Sequence, residues 1–330
     1  MTFQNPHAAS SLLSLSRFGQ QPNRKLTARL GSGLMALSLS LATVLPALAA
    51  DPFRANTAST PHSIGPLTES AFKAIFKDGD YIRAQDYLAQ AEAAESGEPL
   101  VQAMLASMEY LRGGDLAGVN ERAAATKSAA QALKPSDPLR GHLYTAVGTF
   151  LEGAYIMKTQ SVARGTPAAL GLLQTVFNEL DKAESIDPND PELNLLKGYM
   201  DLMLAVNLPF SNPDEAIARM SDYGSPAYLT QRGIAVGYRD LGDYDKAVVA
   251  VDKAIAAAPS NPELLYLKAQ LLAKQGAQAD SAVLFKKALE SANQLPTSLV
   301  KQITWEGCVA EGIANSQQCQ DQKNAAKGAF

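Results

Sequence analysis

The side chains able to do chemistry are few and scattered. Ser70 and Lys73 stand in Ser70-Ala71-Phe72-Lys73, the serine–lysine spacing of some acylating enzymes. The Ser-Asp-Asn and Lys-Thr-Gly companions are absent, and the same positions suit one amphipathic helical turn. Asp78, Asp80, Asp243 and Asp245 flank turns, where short carboxylates cap helices; a calcium loop needs more oxygen ligands within 12 residues. There is no His-Glu-x-x-His, no Gly-x-Ser-x-Gly and no phosphate-binding glycine loop before Gly-Lys-Ser/Thr. His62 and His142 are the only histidines after residue 50, which leaves little for imidazole acid–base work. No catalytic residue, metal or cofactor is expected. Cys308 and Cys319, the only cysteines, have ten residues between them. With no further ligands nearby they read as a disulfide closing Val309–Gln318 or as two free thiols, and the compartment decides.

The N-terminus addresses the compartment. Arg17, Arg24, Lys25 and Arg29 form a basic leader without a single acidic residue. Leu30–Ala50 is uncharged and mostly apolar, broken by Pro46 ahead of Ala47-Leu48-Ala49. This pattern predicts a signal peptide over 1–49, cut between Ala49 and Ala50, and hence the periplasm or a comparable lumen. The alternative is an uncleaved membrane anchor, since about 20 uncharged residues span a bilayer. Four of the 29 basic residues precede Asp51, leaving 25 against all 33 acidic ones, a formal charge of −8. An acidic body without basic–aromatic interleaving speaks against nucleic acid as a partner. Asp51–Pro66 is rich in proline, serine and threonine and reads as a flexible linker over 50–66.

Alanine and leucine dominate the rest, which favours helix. Two 34-residue units follow one another without a gap, Tyr228–Asn261 and Pro262–Leu295. In the first, Ala235, Tyr238, Gly242, Tyr244, Ala247, Val251, Ala254 and Pro259 hold positions 8, 11, 15, 17, 20, 24, 27 and 32. In the second, Ala269, Leu272, Gly276, Phe285 and Ala288 hold positions 8, 11, 15, 24 and 27, with Ser281 departing at position 20 and Asn293 at 32. Small residues at 8 and 20 let two antiparallel helices approach, and a glycine near 15 supplies a left-handed stop. Asn261-Pro262-Glu263 is a helix start that recurs at Asn189-Asp190-Pro191-Glu192.

These units resemble the tetratricopeptide repeat (TPR), and the chain also resembles exported TPR proteins of cyanobacteria, which adds the thylakoid lumen as an address. The resemblance implies an all-α, right-handed superhelical solenoid of antiparallel helix hairpins. It is firm over 228–293 and partial over 67–227, which divides the chain into degenerate hairpins over 67–225, two units over 226–295, a capping helix within 296–319 and a flexible tail over 320–330. It further implies a concave groove for a partner protein or peptide, into which positions 2, 5, 9, 12 and 13 of each unit point. Arg232, Val236, Arg239, Tyr266, Gln270, Lys274 and Tyr199 are the groove residues so implied. Arg232, Arg239 and Lys274 can together receive carboxylates or carbonyls. The leading expectation is a non-catalytic exported interaction scaffold. The alternatives are an assembly or envelope-maintenance factor attached to a membrane complex and, remotely, a glycan-active hydrolase on a helical toroid, which needs two facing carboxylates.

Overall fold

The computed structural model describes residues 51–330 except 56, 114–115, 161, 208–211 and 313–315; the leader lies outside the described residues. These are all-α, in fourteen helices: α1 Pro66–Lys73, which runs on into a π-helical turn at Ala74–Asp78, α2 Tyr81–Ala94, α3 Pro99–Arg112, α4 Ala117–Leu133, α5 Pro138–Thr159, α6 Val162–Ile186, α7 Pro191–Asn207, α8 Pro213–Tyr223, α9 Ala227–Leu241, α10 Tyr244–Ala257, α11 Pro262–Lys274, α12 Gln278–Leu289, α13 Thr297–Ala310 and α14 Ser316–Ala325. Consecutive helices pair as hairpins, odd with even, and the hairpins stack into a TPR-like array. No described helix is long and apolar enough to cross a membrane.

Local chemistry sets the helix ends. Asp80, Asp137, Asn212, Asp243 and Asn261 each accept a backbone N–H in the first turn of the helix they precede. Gly242 ends α9 in the left-handed region at φ 85°. Within the hairpins, Ala235, Ala247, Ala254, Ala269 and Ala288 are fully buried, as close helix approach requires. Ser281, the departure at position 20, is equally buried and its hydroxyl donates to the Ala269 carbonyl at 2.8 Å. The serine thus fits because its polar atom finds a partner across the hairpin.

The ends of the chain depart from the sequence reading. Asp51–Pro66 is no free linker at its start: Asp51, Phe53 and Arg54 are each 1–2% exposed, and Phe53 packs edge-on against Phe72 with ring centroids 4.8 Å apart. Composition alone could not show this, because the residues that receive Arg54 lie 136 and 138 positions away. The expected tail is likewise packed. α14 pairs with α13 as a seventh hairpin, the Ala329 and Thr297 amides bond to the Leu295 and Phe330 carbonyls, and the Arg112 guanidinium lies over the Phe330 ring. A disulfide joins Cys308 to Cys319 across that hairpin, with Cα atoms 5.6 Å apart.

The array also turns back on itself. Asn261 Nδ2 donates to the Phe76 carbonyl at 3.1 Å, and the Tyr81 amide to the Gln294 carbonyl at 3.3 Å. Gly79, at φ 65°, is required twice at this seam. It makes the left-handed turn between α1 and α2, and a Cβ there would fall 2.7 Å from Pro262 Cδ. The first hairpin is thereby docked on α9 and, through Tyr81, Phe76 and Gly79, on the start of α11 rather than left at an open end.

Candidate functional site: an apolar well with a polar floor and a polar shelf

Closure converts the expected groove into a cavity of about 320 Å³. It is lined by α1, α3, α5, α7 and α9, the first helices of five hairpins, with Phe53 of the N-terminal strap and Val119 of α4. The walls are aromatic and aliphatic, with Phe72, Phe76, Tyr144, Phe150, Leu151, Leu195, Leu202 and Val236 among them. Met104, Met200 and Met203 add side chains that adapt to an occupant's shape. Tyr144 and Tyr199 contribute rings but no free donors: their hydroxyls donate to Glu192 Oε1 at 2.6 Å and to the Leu229 carbonyl at 2.8 Å. Burial pushes the Tyr199 phenol up to about 12. The remaining polar lining residues, Ser107, Tyr110 and Asp240, all sit toward the C-terminal ends of α3 and α9.

Toward the N-terminal ends of the same helices lies a buried ionic floor. Arg140 makes a two-pronged contact with Glu98 at 2.8 and 3.0 Å and donates Nε to Glu192 at 3.1 Å. Arg54 reaches Asp51 at 2.7 Å, Glu192 at 3.3 Å and, through Nε, Asp190 at 3.0 Å. Four carboxylates face two guanidiniums. Glu98 and Asp190 are also N-caps of α3 and α7, where the helix dipole favours negative charge and offsets the excess. Burial opposes the charged form of both arginines, but Glu192 and its neighbours outweigh it and hold them protonated. Burial raises the Asp190 carboxyl, against the pull of Arg54. Such a network adds little net stability over an apolar core, but removing one member strands another. A second buried pair, Arg232 to Glu263 at 2.7 Å, lies at the seam with Tyr81, whose hydroxyl also donates to Glu263.

The groove residues implied by the repeat register separate into three groups. Val236 and Tyr199 line the well. Arg232 is buried against Glu263 and is not offered to a partner, so it does not converge with Arg239 and Lys274 on one carboxylate. Arg239, Tyr266 and Gln270 do come together. Arg239 Nη1 donates to Gln270 Oε1 at 3.0 Å, and Gln270 Nε2 donates to the Tyr266 hydroxyl at 2.7 Å and to Glu306 at 2.9 Å. Tyr266, Gln270 and exposed Lys274 stand four residues apart, on one stripe of α11. Gln302 and Glu306 form the matching stripe on α13. This row begins at the rim of the well, since Arg239 Nε bonds Asp240 at 2.8 Å. Arg239 keeps one buried nitrogen without an acceptor. Glu306 and its contribution were missed in the sequence, because α13 carries no repeat signature to give its register.

Ser70 and Lys73 do not meet: the serine hydroxyl donates to the Pro66 carbonyl at 2.7 Å and the lysine pairs with Glu69. Among the described residues no group of three or more His, Cys, Asp or Glu is placed to hold a metal ion. Among the described residues the well has one carboxylate, Asp240, in its lining, where glycoside hydrolysis needs a facing pair.

No protein-family model matches the chain, and no curated protein does. Among solved structures it is similar to PilW, described as a widely conserved type IV pilus biogenesis factor, at 19% identity over 69% of this chain and 92% of that one, with a TM-score of 0.45. It is also similar to a TPR protein of Parabacteroides merdae, at 14% identity over 78% and 97% with a TM-score of 0.38. Human IFIT1, solved as a dimer with PPP-AAAA, matches at 15% identity over 78% and 58% with a TM-score of 0.43.

Proposed function

We propose that the protein is an exported, non-catalytic interaction scaffold that holds a partner protein along the polar shelf of α9, α11 and α13. The basic, acid-free leader ending in Ala47-Leu48-Ala49 and the Cys308–Cys319 disulfide support the address. The observation that carries the binding surface is the hydrogen-bonded row Arg239–Gln270–Tyr266–Glu306, which joins three successive first helices. Donors and acceptors alternate along it, and both charges are present. That suits an extended polar peptide whose backbone carbonyls and amides exchange for these bonds at each step. Lys274 at the open end of the stripe receives a carboxylate. Tyr266 gives amphipathic contact area.

A photo-crosslinking side chain placed at Lys274 or Gln270 tests the reading in the organism. One defined partner, captured from both positions and not from Val249 on α10, is the expected result. Capture from Val249 alone, or from none of the three, overturns it. The mass of the exported protein tests the address: a mature chain beginning at Ala50 is expected, and one retaining Leu34–Leu48 contradicts it.

A further inference from the structure

We propose that the well between the first helices is a second binding site, for an uncharged single-chain amphiphile with a short polar head. The well meets the peptide shelf at the Arg239–Asp240 pair, but the proposal does not rest on that reading. Size is the first argument. An apolar cavity of about 150 Å³ takes up benzene, so about 320 Å³ accommodates roughly twice as many heavy atoms, about 12, within the usual range of small-ligand sites. Chemistry is the second. Both deep tyrosine hydroxyls are engaged by Glu192 and the Leu229 carbonyl, so the body of the well offers rings and methyl groups and no unmet donor. A polar body would lose its water for nothing.

Polarity along the axis is the third argument. The floor is sealed by the strap residues Phe53 and Arg54 and by ion pairs that satisfy one another. A head group therefore belongs at the other end, beside Ser107, Tyr110 and Asp240. The Ser107 hydroxyl donates to the Ala103 carbonyl, which leaves its lone pairs to accept from an alcohol. Among the described residues Asp240 is the one charged side chain in the lining, and Arg239 Nε, at the rim, holds its Oδ1 at 2.8 Å. Its Oδ2 is left to accept a hydrogen bond from a hydroxyl and to repel the oxygens of a carboxylate or phosphate head. Medium-chain fatty alcohols and short prenols share this chemistry and this size. Fatty acids are selected against.

The test uses the whole mature protein at pH 8. 1-Aminonaphthalene, an uncharged fluorophore small enough for the well, reports occupancy, and 1-dodecanol and dodecanoate compete with it. The expected result is saturable one-to-one binding, displaced at least tenfold more effectively by the alcohol. Ala154→Trp and Val236→Phe each fill the well and reduce binding at least tenfold, with the helical circular-dichroism signal unchanged. Asp240→Asn brings the two competitors within threefold of each other. Absence of saturable binding overturns the proposal, as does binding that survives both filling variants. Equal displacement by dodecanoate in the natural sequence overturns the assignment of an uncharged head.

Discussion

The hydroxyl of Tyr81, the first residue of α2, donates to Oε1 of Glu263, the second residue of α11, across 182 positions of sequence. Both side chains are buried, and Arg232 of α9 completes the group from the other side of the same carboxylate. An open stack of hairpins has no use for such a contact, because each unit touches only its neighbours. Here the first hairpin touches the fifth and sixth. What would be a groove along the array becomes a well with a floor, and the polar surface left for a partner shifts to the last three first helices.

Two glycines isolate the closing seam from ordinary turn chemistry. Gly79 and Gly242 both take left-handed φ, at 65° and 85°, but only Gly79 has a neighbour, Pro262 Cδ, 2.7 Å from where a Cβ would stand. Each alanine variant pays the left-handed penalty of about 1–2 kcal/mol. Gly79→Ala adds an overpacking cost of about 1–3 kcal/mol. Urea unfolding of the two variants should rank Gly79→Ala as clearly the less stable, and equal losses would place the first hairpin away from α11.

The strap should matter to stability far more than its composition suggests. Phe53→Ala removes a buried ring packed edge-on against Phe72, a change that costs about 3–5 kcal/mol in well-packed cores. A chemical denaturation curve checks it. A cost near zero would mean that residues 51–54 are the linker their composition describes.

The staple between α13 and α14 acts locally. Cys308 and Cys319 are 11 residues apart, and closing a loop of that order contributes about 2–3 kcal/mol by restricting the unfolded chain. Replacing both by serine should raise amide exchange through α14 and at the Thr297 and Ala329 amides and leave α3–α10 protected. Uniformly faster exchange throughout the array would contradict a local role.

Acid should loosen the middle of the array through Glu179. Burial raises its carboxyl, but hydrogen bonds from Lys182, His142 and Lys134 prevail and bring it down to about 2. A carboxyl lowered by folding contributes stability that is complete above its ordinary value near 4.5 and is lost as pH falls toward about 2. The melting temperature of the natural protein should therefore drop more steeply between pH 5 and 2.5 than that of Glu179→Gln. Parallel slopes would remove Glu179 from the account.

The hairpins and their ends were legible in sequence because they are local. Asp243 before α10, Asn261-Pro262 before α11 and the alanines at repeat positions 8, 20 and 27 act within one unit and leave a periodic trace. Closure left none. Tyr81 and Glu263 each look like an ordinary first-turn residue until the fold brings them together. The same distance hid the strap: nothing near Arg54 in sequence announces Asp190 or Glu192. At the candidate site, the repeat register placed Arg239, Tyr266 and Gln270 on one surface, and it put Val236 and Tyr199 on the concave side. It misjudged Arg232, because a register gives the direction of a side chain and not the buried carboxylate it meets there.

A double-mutant cycle on Tyr81→Phe and Glu263→Gln, followed by urea unfolding, measures closure directly. Residues that share a buried hydrogen bond show an interaction energy of about 0.5–3 kcal/mol, and that coupling is the predicted result. Strictly additive losses, with the two sites behaving as strangers 182 positions apart, would mean an open array without a well.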